Sequence, residues 1–275
     1  MKISIVTISF NQASYIEQAL ESVLAQNYPD FEYIVVDAGS TDGSREIINR
    51  YKERLSSVIF EQDDGPADGL NKGFSHATGE VFFYLNADDV LLPNALHTAA
   101  NHFSNFPSVD VIYGNGLLID AHGKIIKRIF SSKWNLRAYA FGAVTVVQQA
   151  TFIRRGSLNK VGGFNAYNKT CWDGELFADL AMSGCRIIQA NEFFGAFRVH
   201  ADSITGSGRL NQQIIIDHAR IMHKILGRQP SNFENRLLRF YFRLVKNILH
   251  PVVVFKKMMD RFKPPHCNDH HSTLY

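Results

Sequence analysis

Residues 1–90 alternate apolar, β-branched runs with stretches of helical periodicity, and few folds accept that pattern. Ile3–Ser9 reads as a strand, and after the turn at Phe10-Asn11-Gln12 a helix is expected over Tyr15–Gln26. Within it Ile16, Ala19, Leu20, Val23 and Leu24 fall on one face. Tyr33–Val36 is a second buried strand, Arg45–Leu55 a helix, Val58–Glu61 a third strand and Ala67–His76 a short helix. Parallel strands joined by right-handed helical crossovers satisfy this order, so an α/β fold is expected.

The fourth strand opens the stretch VFFYLNADDVLLP, Val81–Pro93. Its unbroken apolar run reads as a strand covered on both faces. It ends in Asn86-Ala87-Asp88-Asp89. Open α/β sheets bind ligands at the carboxyl ends of their strands. Adjacent carboxylates there repel unless solvent, a base or a cation compensates, and a hard divalent cation with open positions for phosphate oxygens does so. A helix start before Pro93 explains the same residues without a ligand. Both readings stay open on this stretch alone.

Beyond it the alternation fades. A helix is expected over Pro93–Phe106, separate strands over Val109–Tyr113 and Gly116–Ile119, and a hairpin turn at Asp120–Gly123 into Lys124–Phe130. Ser131–Gly142 reads as a loop with a short helix, Val146–Ile153 as extended, Asp173–Ser183 as a helix, and Arg186–Gln189 and Phe194–Val199 as two short strands. This half is therefore expected to be mixed or antiparallel. Ser203–Gly208, rich in glycine and serine, has the composition of a mobile lid.

After Arg209 the character changes again. Gln212–Leu226 and Phe233–Leu249 have helical patterns, and His250-Pro251 interrupts before Val252–Phe262. From Glu234 to Lys263 eight basic residues face two acids, with aromatic and aliphatic residues between them. Such helices either pack on the preceding domain with a solvated basic face or lie on an anionic membrane surface. His266, Cys267, His270 and His271 sit in a polar tail expected to be disordered rather than a metal site.

Whole-chain numbers bound the function. Net charge is only +3, which argues against nucleic acid as a partner. The three cysteines are odd in number and widely spaced, which suits a reducing compartment. The N-terminus runs straight into a strand without a signal-peptide pattern, and no run reaches the ~18 apolar residues needed to span a bilayer. A cytoplasmic location is expected, or a peripheral one on the cytoplasmic face of the inner membrane if the terminal helices bind lipid.

Asp37 ends the second strand, where a carboxylate can accept from a ribose hydroxyl or a base N–H. A dinucleotide-binding domain would need a glycine-rich turn after the first strand, but Ser9-Phe10-Asn11-Gln12-Ala13 has no glycine. The same lack disfavours a nucleotidyltransferase.

Taken together, IVTISFNQASYIEQALESVLAQNYPDFEYIVVDAGSTDGS, GPADGLNKGFSHATGE and FFYLNADDVLLP resemble the family 2 glycosyltransferases of bacterial polysaccharide assembly, over residues 1–205. The resemblance implies a GT-A-like fold, a mixed sheet flanked by helices. It also implies inverting transfer from a nucleotide-sugar, UDP-linked first, to a glycan or lipid-linked acceptor with Mg²⁺ or Mn²⁺. By position, Thr7 and Ser9 lie at the nucleotide, Asp37 reads the base, and Asp68 and Lys72 face the donor. Asn86-Ala87-Asp88 stands at the family's metal triplet, with Asp88 the direct ligand and Asn86 on a ribose hydroxyl or metal-bound water. Asp173, in CWDGELFADLAMSG, takes the general-base position, and Glu175 that of a frequent second acid. Gln149 stands near the sugar, and in FRVHADS His200 approaches the metal with Arg198 beside it.

Two departures weaken the match. Ala38 stands where many relatives carry a second acid, and Asn86 replaces the first acid of the triplet. They leave open a degenerate sugar-nucleotide-binding or scaffold protein. The expected division is a catalytic domain over 1–208, a basic amphipathic extension over 209–263 and a tail over 264–275.

Overall fold

The computed structural model describes residues 1–201, 203, 210–249, 251 and 254–256. Strands β1 (Ile3–Ser9), β2 (Phe31–Asp37), β3 (Ser57–Phe60) and β4 (Val81–Asn86) form a parallel unit in the order β3-β2-β1-β4. Helices α1 (Ile16–Leu24), α2 (Ser44–Tyr51) and α3 (Pro66–Ser75) make the crossovers. The strand–helix alternation at the start of the chain is thus realised element by element.

Side chains alternate across this unit, and each strand feeds two cores. Ile3, Ile5, Tyr33, Val35, Phe83 and Leu85 point into the core shared with α1. Val6, Ile34, Val36, Phe82 and Tyr84 point into the one shared with α3. The runs of unbroken apolar residues follow from this double coverage. Gly73 of α3 lies so close to β1 that an added Cβ would stand 2.4 Å from Val6 Cγ1.

From β4 onward the sheet is mixed. Its order continues through β8 (Thr151–Arg154), β6 (Val111–Ile119) and β9 (Ile187–Arg198) to β5 (Val90–Leu91), with β7 (Ile125–Ile129) paired to β6. β8 is antiparallel to both β4 and β6, whereas β9 runs parallel to β6. Helices α4 (Ala95–Asn105) and α7 (Trp172–Met182) cover opposite faces.

Several boundaries differ from the sequence reading. The two strands expected over 109–119 are one strand, β6, and those over 186–199 are one strand, β9. Gly114-Asn115 reads as a break, but it is the place where the β6–β9 register shifts within continuous pairing. Part of the extended segment over 146–153 is a 3₁₀ turn, Gln148–Ala150, preceding β8. The two-residue β5 and the short helices α5 (Leu136–Ala140) and α6 (Arg155–Lys160) complete the described elements of this half.

The helix Asn211–Leu226 packs back on α7. Glu175 is almost fully buried and accepts from Arg220 Nη1 at 2.8 Å and Lys224 Nζ at 3.3 Å. Asp217 accepts from Thr170 Oγ1 at 2.6 Å. The helix Asn232–Leu249 follows, with Phe242 stacked on Phe141 at 5.9 Å between ring centroids. Among the described residues no helix is long and apolar enough to cross a membrane. The stretch 204–208, most of 252–262 and the tail 264–275 lie outside the described residues.

Candidate active site

Register brings three candidates to one edge. Ser9 pairs with Asp37 across β1 and β2, and Ile8 pairs with Asn86 across β1 and β4. Ser9, Asp37 and Asn86 therefore end neighbouring strands at the carboxyl edge of the parallel unit, where such sheets take ligands. Ser9 Oγ is buried and has no hydrogen-bond partner among the described residues.

Asp37 is fully buried and already engaged. Its Oδ1 accepts from Arg45 Nε at 2.7 Å and from the Ser40 backbone N–H at 2.9 Å, and its Oδ2 accepts from Ser40 Oγ at 2.5 Å. Burial pushes this carboxyl upward, but Arg45 and the Ser40 and Gly39 donors outweigh it and hold it below the ordinary aspartate value. Ser40 Oγ in turn accepts from the Asn11 N–H, Ser44 Oγ from Gln12 N–H, and Asp42 Oδ2 from Ala13 N–H. The turn after β1 is thereby tied to the Gly39–Ser44 segment without any glycine of its own. Thr7 lies one step deeper, its hydroxyl 2.9 Å from Tyr33 OH in the core.

At the end of β4 the two carboxylates separate in role. Asp89 turns inward, where its Oδ1 accepts from the Arg198 N–H at 2.9 Å and its Oδ2 from Gln149 Nε2 at 2.7 Å and Asn86 Nδ2 at 3.1 Å. Burial, reinforced by Asp88, pushes the Asp89 carboxyl well above its ordinary range. Asp88 remains at the surface edge, with Oδ2 3.1 Å from His200 Nε2. His200 Nδ1 is buried and unpartnered among the described residues, and the ring lies 4.5 Å from that of Tyr15.

Arg198 locks this cluster. It is 1% exposed, donates from Nε to Asp88 O at 2.7 Å and from Nη1 to Asp120 O at 3.0 Å, and also donates to Gln18 Oε1. The structure thus places Gln149 on Asp89, and Arg198 on the backbone that carries Asp88. Gly195 of β9 allows this: a Cβ there would stand 2.0 Å from Gln149 O.

Among the described residues no three His, Cys, Asp or Glu side chains are grouped to hold a metal. Asp88 and His200 supply two donors, one of them on a ring with an orphaned buried nitrogen. The Asn86 amide nitrogen bonds Asp89 and Gln148, which leaves its carbonyl oxygen out of that network. A carboxylate, an imidazole and a carboxamide oxygen suit Mn²⁺ or Mg²⁺ when water or phosphate oxygens fill the other positions. The residues fit the ion on that condition.

Asp68 lies in the first turn of α3 and Lys72 in its last, the two paired at 3.1 Å, and Asp68 also accepts from the Asp64 N–H. Gly65, at φ 115°, sets the turn before them. Asp173 sits in the first turn of α7, beside a cavity of about 140 Å³ that Tyr139, Ala140, His218, Ile221 and Met222 also line. Burial pushes its carboxyl upward. Its neighbour Trp172 packs on Tyr84 of β4 at 5.4 Å between centroids, two residues before Asn86. Glu175, by contrast, is spent on the helix Asn211–Leu226.

Sequence reasoning missed the inward role of Asp89, which its neighbour Asp88 masks, and the part of Arg45. The only signal for Arg45 is its place eight residues after Asp37, at the start of α2.

Comparison with known proteins bears on the family and the fold. A family model described as Glycosyl transferase family 2 matches residues 4–162. An uncharacterized glycosyltransferase of Nostoc sp. is 40% identical over 129 residues, which is 44% of this chain and 40% of the relative. The chain thus spans about two fifths of that relative's length. The crystal structure of S. aureus TarS 1–349 in complex with UDP-GlcNAc superposes with a TM-score of 0.66 at 19% identity, over 88% of this chain and 71% of that one. The mannosyltransferase PcManGT from Pyrobaculum calidifontis, in complex with GDP-Man and Mn²⁺, gives 0.63 at 20% identity, over 95% and 81%. At these identities the two structures bear on the fold alone, and they bear out the GT-A-like expectation.

Proposed function

Because the chain belongs to glycosyl transferase family 2, we propose that it moves a sugar, with inversion, from a nucleoside diphosphate sugar to a hydroxyl of a glycan or lipid-linked acceptor. A UDP-sugar is the first candidate donor, and the product would be part of a cell-surface glycan. One observation carries the reading. The end of β4 holds the Asn86–Asp88–His200 cluster, and the same strand two residues earlier holds the helix end that presents Asp173.

Each residue has a task in that reaction. Ser9 and the Asp37 turn shape the nucleoside slot, and Asp68 and Lys72 border the donor. Asp88 and His200, with Asn86 beside them, would hold Mn²⁺ or Mg²⁺. Bound there, the ion offsets negative charge on the diphosphate leaving group. Gln149 and Arg198 hold Asp89 and the Asp88 backbone, so the Asp88 carboxylate keeps its place beside His200. Asp173 accepts the proton of the attacking acceptor hydroxyl, and the burial that raises its pKa makes it a stronger base than an exposed aspartate. Residues 1–208 would form the catalytic domain.

A thermal-shift panel of nucleotide-sugars, each with Mg²⁺ and with Mn²⁺, tests the donor class. A Tm rise with at least one nucleoside diphosphate sugar is expected. No rise with any of them, in either metal, would remove the reading.

A further inference from the structure

We propose that the outer face of the helix Asn232–Leu249 is a docking surface for an anionic lipid bilayer. This helix has two apolar faces. The inner one is settled on the protein: Phe242 stacks on Phe141, Arg239 Nε donates to Phe141 O at 3.1 Å, and Lys246 Nζ donates to Ala143 O at 2.9 Å. The outer one carries Phe233, Leu237, Phe240, Tyr241, Leu244 and Ile248, at the spacing of a single helical stripe. Phe233 is 76% exposed, Phe240 66% and Ile248 67%. Scattered exposed apolar residues are ordinary on a protein surface, but a continuous stripe marks a contact.

Charge selects the occupant. Arg236 and Arg243, both exposed, flank the stripe on one side. The acid of this helix, Glu234, is bound to Arg228 at 2.8 Å. Two copies pairing stripe to stripe would bring like charges together with no acid on the helix left to answer them. A negatively charged lipid plane answers them directly, and aromatic residues beside arginines suit the depth of the headgroups. The sequence that follows adds lysines and one arginine to the same sign.

The surface also has a consequence for the site. The inner face grips the backbone of Phe141 and Ala143, and Tyr139 and Ala140 just before them line the Asp173 cavity. A protein seated on lipid through this helix holds that cavity close to the bilayer, where a lipid-linked hydroxyl would arrive. This last step rests on the transfer reading, whereas the lipid surface does not.

Cosedimentation of the full chain with vesicles, in the absence of any donor or acceptor, tests the surface. The protein is expected to pellet with vesicles of phosphatidylglycerol in phosphatidylcholine, and not with phosphatidylcholine alone. Leu237→Gln/Phe240→Gln/Leu244→Gln should lower partitioning about tenfold or more, and Arg236→Glu/Arg243→Glu about tenfold with loss of the salt dependence. Both variants should retain the wild-type Tm, since neither touches the inner face. Equal binding by wild type and both variants, or no binding to anionic vesicles, would overturn the proposal. So would a concentration-dependent dimer in sedimentation velocity that the triple variant abolishes without any vesicle binding. Because no sugar chemistry enters the assay, its failure leaves the transfer reading untouched.

Discussion

His200 Nε2 lies 3.1 Å from Asp88 Oδ2, a contact that joins positions 112 residues apart. Arg198, two residues before His200, fixes the Asp88 backbone from the same strand end. His200 is buried against Tyr15, with ring centroids 4.5 Å apart, and Asp88 is the one hydrogen-bond partner of its ring among the described residues. His200→Ala is therefore expected to weaken Mn²⁺ binding about 10–100-fold with the fold retained. Isothermal titration with Mn²⁺ and UDP present checks this, and an unchanged affinity would assign His200 a packing role against Tyr15.

Much of this edge was legible in the sequence, and the reasons are local. The parallel unit could be read because each of its strands is covered on both faces and each crossover helix carries one apolar stripe. Asp37 could be placed because it ends such a strand, and Asp88 because it follows the end of one by two residues. The longer strands β6 and β9 could not, since Gly114-Asn115 marks a register shift within continuous pairing and reads as an end. Nor could the division of labour between Asp88 and Asp89. It depends on Gln149 and Arg198, which come from turns and strands far along the chain. Glu175 and Asp173 share one helical turn, and only the packed helix Asn211–Leu226 tells the tethered acid from the cavity-facing one.

Asp173 carries a pH signature. Burial raises its folded-state pKa above the ordinary 3.8. The folded state thus keeps the proton at pH values where the unfolded chain has lost it. Its stabilising contribution is full below the unfolded value and disappears as pH rises through the folded value. At pH 7 the charged form is a net cost. Asp173→Asn should then raise Tm at pH 7, by about 2–4 °C for each kcal/mol relieved, while the Tm difference shrinks in acid. Calorimetry over a pH series checks the sign, and a Tm lowered at pH 7 would contradict it.

Glu175 behaves in the opposite sense. Burial works against its charge, but Asn168, Asn165, Arg220 and Lys224 outweigh it and hold the carboxyl below 4.5. Its contribution is present above the unfolded value and lost as pH falls through the lowered one. Glu175→Ala removes an acceptor from Asn165, Asn168, Arg220 and Lys224, although Asp217 still pairs with Arg220 and Asp179 with Lys224. Because Arg220 and Lys224 are partly exposed, the cost is discounted to about 2–4 kcal/mol. Amide exchange should quicken selectively in residues 211–226. Exchange confined to α7 instead would mean that other contacts hold that helix.

Arg198→Lys removes the planar fork that reaches Asp88 O, Asp120 O and Gln18 together. Lysine cannot span those acceptors, and about 2–4 kcal/mol of stability should be lost in urea titration. Mn²⁺ affinity should fall with it, because the Asp88 backbone loses its anchor. A variant of wild-type stability would show that water replaces the guanidinium at no cost.

Release of UDP from UDP-sugars, followed over time with and without Mn²⁺ in the wild type, Asp88→Asn and Asp173→Asn, is the most direct test of the proposed site. The expected result is time-dependent release by the wild type that requires Mn²⁺, with loss of turnover in both variants and retained UDP binding in Asp173→Asn. Metal-independent release, or turnover in Asp88→Asn equal to that of the wild type, would contradict it.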